Sequence, residues 1–341
     1  MTDKRSAPTL ADVAARAGVS TATVSRCLNS PGSVAEPTRE RVIQVVRDLG
    51  YTPNFGARAM AARRTRTIGA IIPTMENAAF ARGLQSFQEE LRGAGYTLLV
   101  ASSGYDPLLE AEQAQALVAR GAEGLLLIGH DRDPALYDYL GNQAVSTLAA
   151  WALDATAPCP SVGFDNRAAM HILAAEVIAL GHRQIAAISG PTAQNDRTRG
   201  RIEGIRAAMF AAGLDPATLQ VIETPYGMDT GAVAFEALMQ GWPTPTAVLC
   251  GNDILAAGAL SCARAMGIDV PGRVSITGFN DNDLAQVTLP ALTTVHVPHR
   301  EMGRTAAKVL MQMIEEGGPG ETATLQTHLC WRASVGPPPV W

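Results

Sequence analysis

The chain has 341 residues, 47% hydrophobic and 17% charged, with a net charge of -5, which fits a globular, soluble protein with one large core or two medium ones. No run of 18 apolar residues occurs, and "MTDKRSAPTLADVAARAG" has no apolar stretch before a cleavage site, so no membrane partner and a cytoplasmic location are expected. Cys27, Cys159, Cys250, Cys262 and Cys330 are odd in number, scattered and never in a C-x-x-C pair, which argues against a disulfide framework or a zinc site; no metal or cofactor is expected.

Charge is divided unevenly. Residues 1–66 carry 11 Lys/Arg against 5 Asp/Glu, a net of +6, and the remainder carries a net of -11. A basic head on an acidic body points to a polyanion partner for the head alone. That head is patterned. Leu10, Val13, Ala14 and Ala17 fall at helical spacing, with Thr9 and Asp12 as a capping pair. Gly18 ends this helix, and Ser20 caps a second with Val24 and Leu28 inward, leaving Thr21, Ala22, Ser25, Arg26 and Asn29 on other faces. The pair reads as a helix-turn-helix, with Cys27 as a small apolar filler. Val42, Val45, Val46 and Leu49 predict a third helix from near Pro37 to Gly50. "YTPNFGARAMAARRTRT" then reads as a hinge.

From Thr67 onward, apolar runs alternate with helical segments. "TIGAIIPT", "YTLLVASS", "GLLLIGH" and "STLAAW" are separated by helices around 79–94 and 108–120. A second run opens with "SVGFD" and continues through "QIAAISG", "LQVIET", "TAVLCGN" and "VSITGF", with helices around 167–180, 199–212, 230–240 and 253–266. Such alternation implies two α/β subdomains with parallel sheets covered on both faces. "LTTVHVP" should cross back to the first subdomain, where "REMGRTAAKVLMQMIEE" forms its last helix. A ligand would lie in the crevice between the subdomains, at the carboxyl ends of the strands.

"TLADVAARAGVSTATVSRCLN", "RERVIQVVRDLGYTPN" and "IGAIIPTMEN" resemble the head, hinge and first core strand of the LacI–GalR family of bacterial transcription regulators, and the likeness runs to about residue 335. It implies an α/β fold: a helix-turn-helix head over 1–53, a hinge over 54–66, and a two-subdomain periplasmic-binding-protein-like core over 67–341. Subdomain one would hold about 67–164 and 298–326, and subdomain two about 165–295 and 327–341. "ASSGYDPLLEAEQ", "VGFDN" and "QVTLPALTTVHVPHREMG" are similar to the gluconate-responsive branch.

The resemblance implies DNA contact by Thr21, Ala22, Ser25 and Arg26, flanked by Thr9, Ser20, Thr23, Asn29, Thr38 and Tyr51. In the hinge it points to Asn54, Ala57 and Arg58, with Met60 at the position whose apolar side chain wedges into the minor groove. For the effector it points to Asn77, Phe80, Arg197, Arg201, Tyr226, Asn252, Asp253 and Asn280, with Trp151 as pocket wall or core. An aromatic platform suits a sugar ring, while Arg, Asn and Asp direct hydrogen bonds to oxygens. Sugar-binding relatives usually carry Asp where Asn280 stands; a neutral amide beside Arg201 favours a sugar acid over a neutral sugar.

Other signals are given plainer roles. His182, after a helix-ending glycine, reads as a structural partner of the last carbonyls, Asp165 with Asn166 as an N-cap of the following helix in preference to a place at the pocket rim, and Arg199 as surface. No phosphate loop, H-E-x-x-H or G-x-S-x-G occurs, so no enzyme is expected. The expected protein is a homodimeric repressor of carbohydrate or sugar-acid genes on double-stranded, pseudo-palindromic operator DNA, released by a small-molecule effector. No apolar heptad tail follows residue 320, which favours a dimer over a tail-assembled tetramer. A corepressor-dependent regulator and a two-lobed sugar-binding protein without DNA binding stay open as alternatives.

Overall fold

The computed structural model describes residues 7–52 and 64–339. The chain divides into two compact units, Met1–Thr65 and Arg66–Trp341. The expected hinge contacts Asn54, Ala57, Arg58 and Met60 lie outside the described residues.

The first unit is three helices, α1 (Leu10–Ala17), α2 (Thr21–Asn29) and α3 (Glu36–Leu49). α1 begins in a reciprocal capping box: the Asp12 amide donates to Thr9 Oγ1, and the Thr9 amide donates to Asp12 Oδ2 at 2.8 Å. Gly18 and Gly50 end α1 and α3 at φ +63° and +64°, the left-handed turn glycine adopts without strain. Val13, Ala14, Ala17, Val24, Cys27, Val42 and Val45 form the core. Leu28, expected inward with Val24, packs half-buried against this core, and Cys27 is buried within it as a small apolar filler.

The second unit has two lobes. Lobe one is a parallel sheet of β1 (Thr67–Ile72), β2 (Thr97–Ser102), β3 (Ala122–Ile128), β4 (Ser146–Ala150), β5 (Ser161–Gly163) and β11 (Ala323–Thr324), in the order β11-β5-β4-β3-β1-β2. α4 (Ala78–Gly93) and the late helix α12 (His299–Glu316) pack together against one face. α5 (Pro107–Ala119) and α6 (Pro134–Asn142) cover the other, where Leu125 and Leu127 point, while Leu126 between them points to the first. "SVGFD", expected to open the second run, instead pairs Ser161 with Ala149 and belongs to this sheet. Three paired residues are too few to distinguish the last strand of one lobe from the first of the next by pattern alone.

Lobe two has β6 (Ile185–Ser189), β7 (Gln220–Glu223), β8 (Ala247–Cys250) and β9 (Ser275–Thr277), in the order β7-β6-β8-β9, all parallel. α7 (Asn166–Ala179) and α8 (Asp196–Ala211) cover one face, and α9 (Met228–Gln240) and α10 (Asp253–Ala265) the other, with the short α11 (Leu284–Val287) beside α10. β10 (Thr294–His296) and β12 (His328–Cys330) pair antiparallel as a separate ribbon between the lobes. His182 is fully buried, but its ring bonds Thr246 Oγ1 at 2.9 Å and the Gly336 carbonyl at 2.8 Å. The helix-end carbonyl expected for it is taken by Arg183, which donates to Ile178 O, since a longer side chain reaches back over the turn. No helix among the described residues is long and apolar enough to cross a membrane.

Candidate functional site

On α2, Thr21, Ala22, Arg26 and Asn29 are exposed, and Thr23 and Ser25 are half-buried. Ser20 Oγ accepts from the Thr23 amide at 3.1 Å, so this cap leaves the first amides of the helix facing outward. Asn29 Nδ2 donates to Ser25 Oγ at 3.2 Å, one helical turn away. Arg26 makes no ion pair among the described residues, so its guanidinium is free for a phosphate or a guanine edge. Thr38 is half-buried in the first turn of α3, and Tyr51 packs against the head core. Thr9 spends its hydroxyl on the capping box, whose bonds hold the Asp12 carboxyl below its usual range.

The second unit carries a chamber between its lobes, walled at the carboxyl ends of the strands. Lobe one contributes Asn77 and Phe80 from the start of α4, Tyr105 from the loop after β2, and Trp151 from the end of β4. Lobe two contributes Asn166, Asn195, Arg197, Arg201, Tyr226, Asn252 and Asn280. The inner chamber is about 30 Å³, room for water and not for a sugar. It shares Asn77, Tyr105, Tyr226 and Asn252 with an outer cleft of about 1060 Å³.

Close packing and backbone strain aim these groups. A Cβ on Gly83 would lie 2.4 Å from the Trp151 indole, and one on Gly190 would lie 2.1 Å from the Tyr226 ring, so both glycines are seats for aromatic walls. Trp151 and Asn280 sit at φ +64° and +106°, strained values for side-chain-bearing residues that turn both toward the chamber. Trp151 is both wall and core: it is buried, meets Phe80 edge-on, and donates from Nε1 to His299 Nδ1 at 3.1 Å. Burial pulls His299 down to about 3, keeping its ring neutral and able to accept that bond.

Among the described residues no carboxylate lines the inner chamber, although two guanidiniums do. Arg197 is compensated nearby, donating to Asp196 Oδ1 at 2.9 Å and to the Ile128 carbonyl across the cleft at 3.1 Å. Arg201 is different. It donates to Asn166 Oδ1 at 2.7 Å and weakly to Thr198 Oγ1, and lies 4.9 Å from the Phe279 ring centroid. Its Nε is buried without a hydrogen-bond partner and no acid pairs with it among the described residues. Burial lowers its pKa, the mark of a cation taken from water without a matching anion.

Asp253 is set apart. It is fully buried, accepts from Thr294 Oγ1 at 2.6 Å and from the Asn282 amide at 2.7 Å, and burial pushes its carboxyl up to about 7. It borders the outer cleft, outside the inner chamber where its predicted companions meet. Asn252 caps α10 with its side-chain oxygen and keeps its amide for the cleft. Tyr226 Oη bonds Thr198 Oγ1 at 2.9 Å. Asp165 N-caps α7, whereas Asn166 is buried at the centre of the site, tying Arg201 to the Trp151 carbonyl. Arg199 pairs with Asp131 of lobe one at 2.6 Å instead of standing free. Tyr105 and Asn195 were missed; a loop after a strand and a residue preceding a helix gave the only signals, and neither specifies direction.

A helix-turn-helix head joined in one chain to a two-lobed core with a walled chamber defines a ligand-responsive, DNA-binding transcription regulator. Residues 9–54 match the model of the bacterial regulatory proteins of the lacI family, and residues 174–335 match a periplasmic binding protein-like domain. The chain is 31% identical to the HTH-type transcriptional regulator GntR of Escherichia coli over 94% of its own length and 95% of that protein's. To the HTH-type transcriptional regulator DegA of Bacillus subtilis it is 33% identical, over 88% and 90%. It superposes on the lac repressor dimer bound to operator and the anti-inducer ONPF with a TM-score of 0.85, at 25% identity, covering 96% of this chain and 99% of that one. The chain belongs to the LacI family. A two-lobed sugar-binding protein without DNA binding is thereby set aside.

Proposed function

We propose that this regulator is a cytoplasmic, two-fold homodimeric repressor that acts by binding and not by catalysis, and that its effector is a small sugar acid. The observation that carries the effector class is Arg201: a half-buried guanidinium whose Nε is buried without a hydrogen-bond partner and which has no acid partner among the described residues, in a chamber lined by amides, aromatic rings and a second, paired arginine and, among those residues, by no carboxylate. An anionic group beside it recovers the Coulombic energy that burial removed, which a neutral hydroxyl cannot do. The acid end of the ligand reaches the inner chamber, and its hydroxyls meet Asn77, Asn252 and Tyr226 at the rim of the outer cleft. Phe80 and Trp151 offer apolar surface to the carbon chain.

On the DNA side, Thr21, Ala22, Ser25 and Arg26 read the major groove, with Asn29 on phosphate. A dimer would set two such helices on a pseudo-palindromic operator, and the effector would act through its different affinity for the DNA-competent and released states. A thermal-shift screen of sugar acids beside their neutral parent sugars tests the effector class, because a ligand of the native state raises its melting temperature. A sugar acid should raise it and the neutral sugar should not; the reverse order would overturn the reading.

A further inference from the structure

In the ribbon between the lobes, His296 stands directly opposite His328, and Cys330 is two residues further along β12. Cross-strand partners and residues two apart share a face, so the ribbon projects two imidazoles and a thiol to one side. Their imidazole rings stack at 4.6 Å between centroids, and one ligand atom from each of His296, His328 and Cys330 lies within 4.8 Å of the other two. Among the described residues no other three His, Cys, Asp or Glu side chains are so gathered.

Asp281 joins two of the three: its Oδ2 is 2.9 Å from His296 Nδ1 and accepts from the Cys330 thiol at 3.5 Å, and its Oδ1 is held by Arg332 at 2.6 Å. A carboxylate on Nδ1 fixes the tautomer that leaves Nε2 with its lone pair free, the arrangement in which histidine ligands are usually oriented. His328 is exposed, so its ring can swing to close the distance, and Cys330 is half-buried within reach.

We propose that His296, His328 and Cys330 bind a thiophilic divalent cation of the zinc class, with water in the fourth position. Two neutral imidazoles and one thiolate suit that class, and three protein ligands with one open place are a familiar zinc arrangement. As the metal–sulfur bond forms, the Cys330 thiol proton leaves to solvent. The spacing of cysteines along the chain gave no hint of this, because the ligands are assembled by antiparallel pairing and not by a C-x-x-C turn.

The position has a consequence for the effector chamber. β10 leads from lobe two into α12 on lobe one, and β12 returns from β11 on lobe one to Ser334, which bonds Ile276 in lobe two. A metal held by both strands cross-links the two crossovers. Asn280 of the chamber precedes Asp281 and is bridged to His296, so the cross-link is continuous with the effector site.

Cobalt(II) is the probe. Full-length protein, stripped of metal by a chelator and kept reduced, is titrated with Co²⁺ and then Zn²⁺. The wild type should develop a thiolate-to-cobalt charge-transfer band and the d–d bands of a tetrahedral site, saturating at one metal per chain and bleaching with zinc. Cys330→Ser should lose the charge-transfer band, and His328→Ala should bind at least about tenfold more weakly. Cys262→Ser, the other half-exposed thiol, should behave as wild type. His328 is exposed, so its variant keeps the fold and decides the matter alone if the serine variant does not. A wild type without the sulfur band, or a His328→Ala variant that matches it, overturns the site.

Discussion

The head and the core use their polar residues in opposite ways. On α2, Thr21, Ala22, Arg26 and Asn29 point outward from a core of small apolar side chains, and Arg26 makes no ion pair among the described residues. In the chamber, Asn166, Asn195, Tyr226 and Arg201 are gathered inward and bonded to one another, with one charge left unmatched. An outward face costs little to build and can be changed residue by residue. An inward one is a network in which each change is felt by its neighbours.

The largest expected effect breaks the inner network. Arg201→Gln should weaken the anionic effector by about 2–5 kcal/mol, the usual cost of removing one partner of a desolvated charge pair. Calorimetry of the effector measures this, while operator affinity without effector should stay at the wild-type value. Next comes the outer face: Arg26→Ala should cost about 1–3 kcal/mol in specific operator binding, read by anisotropy of a labelled duplex, and leave effector affinity unchanged. Equal loss of both functions in either variant would dissolve the contrast between face and network.

Protonation separates the two units in another way. The folded pKa of His299 is depressed to about 3, so its contribution is complete above its unfolded value near 6.5 and is lost as pH falls toward 3. The loss runs at about 1.4 kcal/mol per pH unit below 6.5, so about 2 kcal/mol at pH 5. Thermal melts from about pH 7.5 down to 5 should therefore destabilise the core more steeply in the wild type than in His299→Gln. Matching slopes would show that this ring is not held neutral. The smallest effect is in the head, where Thr9→Ala removes the capping box and should lower its stability by about 1 kcal/mol, seen in chemical denaturation followed by far-ultraviolet dichroism.

The same contrast explains what could be read in advance. α1, α2 and α3 follow from caps, terminating glycines and apolar spacing within a few residues, so Ser20, Gly18 and Gly50 announce the head. Strand and helix alternation likewise gave the two-lobed core. The chamber was legible largely through family likeness, since Asn77, Tyr226 and Asn280 are brought together by crossovers that no local pattern records. Beside Asp165, Asn166 reads first as part of an N-cap, an obvious local role; only the packing of α7 on α8 turns it to Arg201. Cys27 is the small apolar filler its size suggests, and Leu28, inward by spacing, packs half-buried at the edge of the same core.

The most direct test of a head that reads DNA under the command of an anion-reading core is a single titration. An operator selected from a random duplex pool is labelled and titrated with full-length wild type and Arg201→Gln, each with and without sugar acids and their neutral parents. The account predicts equal affinities for the two proteins without ligand, and a shift caused by a sugar acid in the wild type alone. A shift of similar size from the neutral sugar, or one that survives in Arg201→Gln, would contradict it.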